Sequence, residues 1–222
     1  MDRLIDLSMP IDTHFRWKIE RRQSGDLLQG DNFQITHVCW SVHAFTHIDS
    51  PRHILADGTT TDDISLKQVV GDCAVLDLTD IGADAPIEEE QIAKAGQHIQ
   101  QGDIVLLKTA WDRSFSPHSP EFWTKSPYMT RQAAEWLLRK KVRSVAFDFP
   151  QDYPIRLTLK GEYAHLSEFV THDVLLRNGV ILMEYLCNTK ELTQARVFLC
   201  ALPLKIPNAD GAPARVIAKE IV

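Results

Sequence analysis

The chain has 222 residues, 44% of them hydrophobic and 24% charged, an ordinary globular composition with room for one large core. Its formal net charge of −6 excludes the basic footprint expected of a nucleic-acid binder. No apolar run approaches the ~20 residues needed to span a bilayer, so no membrane partner is expected.

The start, Met1-Asp2-Arg3-Leu4, lacks a basic stretch followed by a long apolar one, and the expectation is a cytoplasmic protein. Candidate strands in chain order are Leu4–Met9, Phe33–Ser41, Ala74–Leu78, Ile104–Lys108, Ser144–Phe147, Val180–Met183 and Val197–Leu202. Their short length and β-branched content favour strands over buried helices. Three helices are expected among them. The first starts at Pro86, carries Glu88, Glu89 and Glu90 at its positive end, and stops at Gly96 after Ala95. Thr130 is a suitable N-cap for the second, Arg131–Lys141, whose basic residues gather at the C-terminal end. The third covers about Ser167–Arg177 and ends at Asn178-Gly179. No repeat or linker divides the chain, so residues 1–222 read as a single α/β or α+β domain with a mixed sheet. Cys39, Cys73, Cys187 and Cys200 form no close pair and sit among apolar neighbours, which predicts free, buried thiols.

The chemistry concentrates in the segment His43-Ala44-Phe45-Thr46-His47-Ile48-Asp49-Ser50-Pro51-Arg52-His53. Imidazole nitrogen and carboxylate oxygen are the donors expected for zinc, manganese or iron. In an ideal helix His43 and His47 share a face, but Asp49 points roughly 200° around from His47. In an ideal strand all three share a face, yet His43 and His47 stand about 13 Å apart. A tight turn through Ala44–Thr46 with an extended exit over Ile48–Ser50 brings them together, and Pro51 agrees by pushing Ser50 out of helical geometry. Glu184 ends the apolar run Val180–Met183, where an unpaired buried carboxylate is costly unless a cation holds it. Asp148, at the end of Ser144–Phe147, and the loop Phe149–Pro154 after it are candidates for the pocket rim.

The segment resembles the HxGTHxDxPxH signature of the bacterial kynurenine formamidase and cyclase family, with His43, Thr46, His47, Asp49, Pro51 and His53 at matching positions. His172 ahead of Glu184, and Ala201–Ile206 followed by Asp210-Gly211 and Pro213, extend the resemblance over nearly the whole chain. It implies a swivelling β/β/α domain, a mixed sheet or barrel flanked by helices, assembled as a homodimer or homotetramer. It implies one or two zinc ions, or manganese. His43, His47 and Asp49 would hold the first, and Asp49 would bridge to a second completed by His172 and Glu184. His53 would be the general acid/base. The implied activity is that of an arylformamidase, hydrolysing N-formyl-L-kynurenine to L-kynurenine and formate in tryptophan catabolism. Alternatives are a cyclic-amide hydrolase of the isatin type and a non-catalytic metal-binding protein. Trp17 lies near a family aromatic that contacts substrate. Phe45 departs from the family glycine; its ring is expected to need ordinary backbone geometry and either to fill the core or to wall the pocket.

Overall fold

The computed structural model describes residues 2–221. Its strands in chain order are β1 (Asp2–Asp6), β2 (Glu20–Ser24), β3 (Ile35–Cys39), β4 (His47–Asp49), β5 (Val70–Asp77), β6 (Pro86–Ile87), β7 (Ile104–Lys108), β8 (Tyr128–Met129), β9 (Ser144–Phe147), β10 (Ile181–Glu184), β11 (Arg196–Pro203) and β12 (Gly211–Ile221). The helices are short: α1 (Leu66–Val69), α2 (Glu89–Ala95), α3 (Pro120–Thr124), α4 (Arg131–Arg139), α5 (Ile155–Thr158) and α6 (Val170–Val174).

Strands β5, β7, β9 and β10 lie side by side and parallel. Their apolar runs are unbroken because both faces are covered. Antiparallel β11 extends this sheet from β5, and β12 pairs with β11. At the other side β4 pairs antiparallel with β10 and also with the start of β12, so seven strands close into a mixed barrel. The far half of β12 pairs with β1. Side chains alternate across the barrel wall. Ile48, Ile104, Leu106, Ala146, Ile181 and Met183 fill one core. Their neighbours Val105, Leu107, Val145, Phe147 and Leu182 face a second core shared with α4 and α6. This two-residue period sets the site: with Ile48 and Met183 in the first core, His47, Asp49 and Glu184 all project to the other face.

Several sequence expectations need correction. Pro86 begins no helix: Pro86–Ile87 is a strand paired with β8, and α2 starts at Glu89, with the Gln91 side chain accepting from the Glu88 N–H at 2.7 Å. The stretch Ser167–Arg177 is not one helix but two 3₁₀ turns flanking the five-residue α6. Strands β2, β8 and β12 were not anticipated, and β4 was expected only as an extended exit over Ile48–Ser50. Cys73 and Cys187 are buried, but Cys39 is exposed on the β2–β3 ribbon and Cys200 is only partly covered, although all four are free. Thr130 does cap α4, accepting from the Ala133 N–H.

Candidate metal centre

The turn before β4 forms as expected, but by a different local route. Phe45 adopts φ +60°, a left-handed conformation that glycine takes without strain, and its ring is nonetheless 1% exposed. The expectation of ordinary backbone geometry at Phe45 is therefore wrong, because packing of the ring outweighs the backbone cost. The ring lies 4.8 Å from Trp17 and 5.8 Å from His14, so of the two expected roles Phe45 takes that of filling core. Thr46 locks the turn: its hydroxyl donates to the Tyr185 carbonyl and accepts from the Met9 N–H, each at 2.8 Å.

Beyond the turn, β4 and β10 pair His47 with Glu184 and Asp49 with Leu182. His47 Nε2 lies 3.1 Å from Asp49 Oδ1 and 3.7 Å from Glu184 Oε2. From α6, His172 Nε2 reaches within 3.4 Å of Asp49 Oδ2 and 3.6 Å of Glu184 Oε1. His43 Nδ1 is 2.7 Å from Asp49 Oδ1, and its Nε2 is 2.9 Å from Asp210 Oδ2. His53 stacks 4.0 Å from the His43 ring, with Nδ1 3.6 Å from Asp210. All six predicted polar residues therefore converge. The donor atoms nearest one another form two triplets sharing Asp49, namely His47–Asp49–Glu184 and His43–Asp49–His53.

The donors are prepared for a cation. His47 Nδ1 lies 2.8 Å from the Phe45 carbonyl, an acceptor only, so this nitrogen carries the proton and Nε2 keeps its lone pair. His172 Nδ1 lies 2.7 Å from Asp152 Oδ2, which likewise turns Nε2 toward Asp49 and Glu184. His47 Nε2 and Asp49 Oδ2 are buried without a hydrogen-bond partner among the described residues. Bonds of about 2.0–2.2 Å to a common ion place its ligands roughly 3–3.5 Å apart, close to the spacing found here. The residues present fit a divalent cation.

The electrostatics follow from burial and crowding. Burial alone would raise the Asp49 carboxyl, but the imidazoles of His47, His172 and His43 hold it well below the usual carboxylate range. Glu184 is pushed upward by burial and by the charge of Asp49. His43 is raised to about 9, since its bonds to Asp49 and Asp210 outweigh a burial that opposes the charge. Burial pulls His53 downward, favouring a neutral imidazole, and its side chain is 32% exposed, open to an incoming molecule.

A family model described as "Putative cyclase" matches residues 5–151. The chain belongs to this cyclase family. Curated relatives named kynurenine formamidase include the Bacillus cereus protein, 25% identical over 98% of this chain and 97% of its own length. The Erythrobacter litoralis protein of that name is 27% identical over 96% of this chain and 87% of its own length. A solved structure titled as a potential metal-dependent hydrolase with cyclase activity is 30% identical, covers both chains fully, and has a TM-score of 0.75. Isatin hydrolase A from Labrenzia aggregata, solved with benzyl benzoate, shares the fold at TM-score 0.80 and 23% identity, over 98% of this chain and 93% of its own.

Around the cyclase-family signature the structure adds partners that sequence reasoning missed. Asp210 contacts His43, and Gly211 beside it is required there, because a Cβ would stand 2.6 Å from His43 Cε1. Asp152 orients His172, and the neighbouring Gln151 amide donates to Glu184. Both belong to the loop expected at the pocket rim, and Asp210-Gly211 had already stood out as a family-like pair. Asp148, by contrast, is a structural pin: both oxygens accept from Thr109, Ala110 and Thr189, and burial outweighs those bonds to push its carboxyl up to about 6. Trp17 and Phe45 share one aromatic wall with Trp123 and Tyr185, and Tyr185 lies 5.4 Å from the His47 ring.

Proposed function

We propose that this chain is a metal-dependent amide hydrolase, with N-formyl-L-kynurenine as its substrate and L-kynurenine and formate as products. The observation that carries this is the convergence of His43, His47, Asp49, His172 and Glu184, among which His47 Nε2 and Asp49 Oδ2 are buried without a hydrogen-bond partner among the described residues. In this reading those five residues hold one or two zinc ions, with manganese as the alternative. A bound ion supplies Lewis acidity and ionised water near neutral pH. Neutral His53 accepts the proton of the attacking water and returns it to the departing aryl nitrogen, and Asp210, 3.6 Å away, stabilises the charged form between those events. Asp152 keeps His172 in one tautomer and orientation. Trp17, which lines a pocket with His14 and Trp40, offers a face for an aryl group, and Phe45 packs behind it at 4.8 Å. Names carried by full-length relatives support the substrate class.

A second reading is hydrolysis of a cyclic amide such as isatin. It is favoured by the Phe45 ring standing where the family signature has glycine, and by the fold shared with isatin hydrolase. A non-catalytic metal protein has no use for an acid/base such as His53, whose side chain stays open to solvent beside the cluster. The same reading includes a homodimer or homotetramer. It is supported by the β2–β3 ribbon and its connection, which expose Leu27, Leu28, Phe33 and Ile35, since an isolated two-stranded ribbon is marginally stable in water.

Parallel assays of the metal-analysed protein with N-formyl-L-kynurenine and isatin test the substrate. The His53→Ala variant should keep its metal and lose about 10²–10⁴-fold in kcat. Full activity in that variant would remove His53 from the chemistry, and turnover of isatin alone would select the second reading.

A further inference from the structure

Two carboxylates span the centre, and they are held differently. His47 Nε2 faces Asp49 Oδ1 at 3.1 Å and Glu184 Oε2 at 3.7 Å. His172 Nε2 faces the other oxygen of each, Asp49 Oδ2 at 3.4 Å and Glu184 Oε1 at 3.6 Å. These are two adjoining cation positions, each bounded by an imidazole and by one oxygen from each carboxylate, with His43 on the Asp49 Oδ1 side. Asp49 is unencumbered: imidazoles approach Oδ1, and Oδ2 is buried without a hydrogen-bond partner among the described residues. Glu184 is encumbered on one side. Gln151 Nε2 donates to Oε1, the oxygen that faces His172, and leaves Oε2 for the position beside His47.

The amide has little room to turn away. Gln151 is fully buried, within a run of buried residues from Asp148 to Asp152. Its backbone carbonyl accepts from the Met129 N–H at 2.8 Å. On one side of it the Pro150 carbonyl accepts from the Ser126 hydroxyl, and on the other Asp152 Oδ1 accepts from the Thr171 N–H, each at 2.8 Å. Gln151 Oε1 is itself buried without a hydrogen-bond partner among the described residues, which costs stability. An apolar side chain of the same shape would fill this space without that cost, so packing does not account for the amide. Its donors do: a carboxylate that ligates through one oxygen is steadied by a hydrogen bond to the other. A cation beside His172 would meet the hydrogens of this amide at the oxygen it needs.

We infer that Gln151 is a positioning residue that makes the two cation positions unequal. The tight one is bounded by His43, His47, Asp49 and Glu184 Oε2, and includes the close triplet His47–Asp49–Glu184. The weak one, beside His172, fills only when the metal is plentiful. Asp49 alone is free to bridge them. This rests on the metal binding of the hydrolase reading above, and not on its substrate. Asp152 works in the opposite sense to its neighbour, since it aims His172 Nε2 at the weak position. Two adjacent residues of one loop thus set how readily a second ion enters.

The test titrates the metal-free full chain with manganese(II). Binding is read by calorimetry and by electron paramagnetic resonance, which distinguishes an isolated ion from a coupled pair. The wild type should show two steps, the second weaker than the first by at least ~10-fold. Gln151→Met keeps the length of the side chain and removes its N–H donors. It should tighten the second step by roughly 10–100-fold, leave the first nearly unchanged, and bring in the coupled-pair signal at lower metal. Gln151→Glu also removes the donors and adds a negative charge; it should tighten the second step further, and it decides the matter if Gln151→Met does not fold. Two equal steps in the wild type, or a second step that stays weak or absent in the variant, overturns the proposal. Amide hydrolysis is assayed separately. Unequal, Gln151-dependent binding in a protein that cleaves no amide leaves the proposal standing and retires the hydrolase reading. Turnover by a wild type that binds two ions equally does the reverse, and a chain that binds no ion overturns both.

Discussion

Replacing Phe45 by glycine sets two effects against each other. Glycine removes the left-handed strain at φ +60°, worth roughly 1–2 kcal/mol. It also deletes a ring that is 1% exposed and in contact with Trp17 and His14. Removing a buried phenyl costs about 3–5 kcal/mol, and the looser unfolded chain of glycine adds about 0.5–1 kcal/mol. The cavity wins, so Phe45→Gly should lose about 3 kcal/mol, a fall in Tm of roughly 6–12 °C for a chain of this size. Phe45→Ala supplies the control, since it opens a similar cavity while keeping most of the strain. It should be less stable than Phe45→Gly by about 0.5–1 kcal/mol. Denaturant unfolding of the three proteins, with matched m-values, reads both differences. A Phe45→Gly protein as stable as the parent would refute the packing argument, and one less stable than Phe45→Ala would refute the strain argument.

Two further predictions concern other parts of the molecule. Asp152→Asn removes the anionic partner of His172, which should weaken metal affinity about 10–100-fold in a competitive chelator titration; unchanged affinity would mean His172 needs no such orientation. Arg196 makes two 2.8 Å bonds to Asp103, whose side chain is only 6% exposed. Burial would raise the Asp103 carboxyl, but the bonds from Arg196 hold it below its ordinary 3.8. With the folded value depressed, the pair stabilises above that ordinary value and fades as pH falls further. Arg196→Met should therefore cost about 2 kcal/mol at pH 7, and the gap to wild type should close below about pH 4. A gap independent of pH would place the effect in packing.

The parallel core was legible because burial on both faces writes an unbroken apolar run: Ile104–Lys108 and Ser144–Phe147 appear as strands at the boundaries expected. Where a strand's environment is mixed, the pattern fails. Strand β2, Glu-Arg-Arg-Gln-Ser, has no apolar residue because both faces of its ribbon meet solvent. Strand β12 begins Gly-Ala-Pro-Ala-Arg and changes partner from β4 to β1 along its length, so no single periodicity marks it. The third expected helix broke at Phe169 and Leu175, where the chain bends to aim His172 at β4. The donor set was readable since four of its members crowd into eleven residues. Their supports were not: Asp152, Asp210 and Gln151 approach only after the barrel forms.

Strand β4 is only three residues long, yet it is the seam between β10 and β12. The first and last thirds of the chain must therefore meet before the ligand set is assembled. A nascent chain that has not yet emitted Gly211 possesses the histidines but neither the flank that positions Asp49 nor the seat beneath His43. Capture of a cation is thus tied to completion of synthesis, and an ion held there fastens the whole cylinder shut rather than one surface loop.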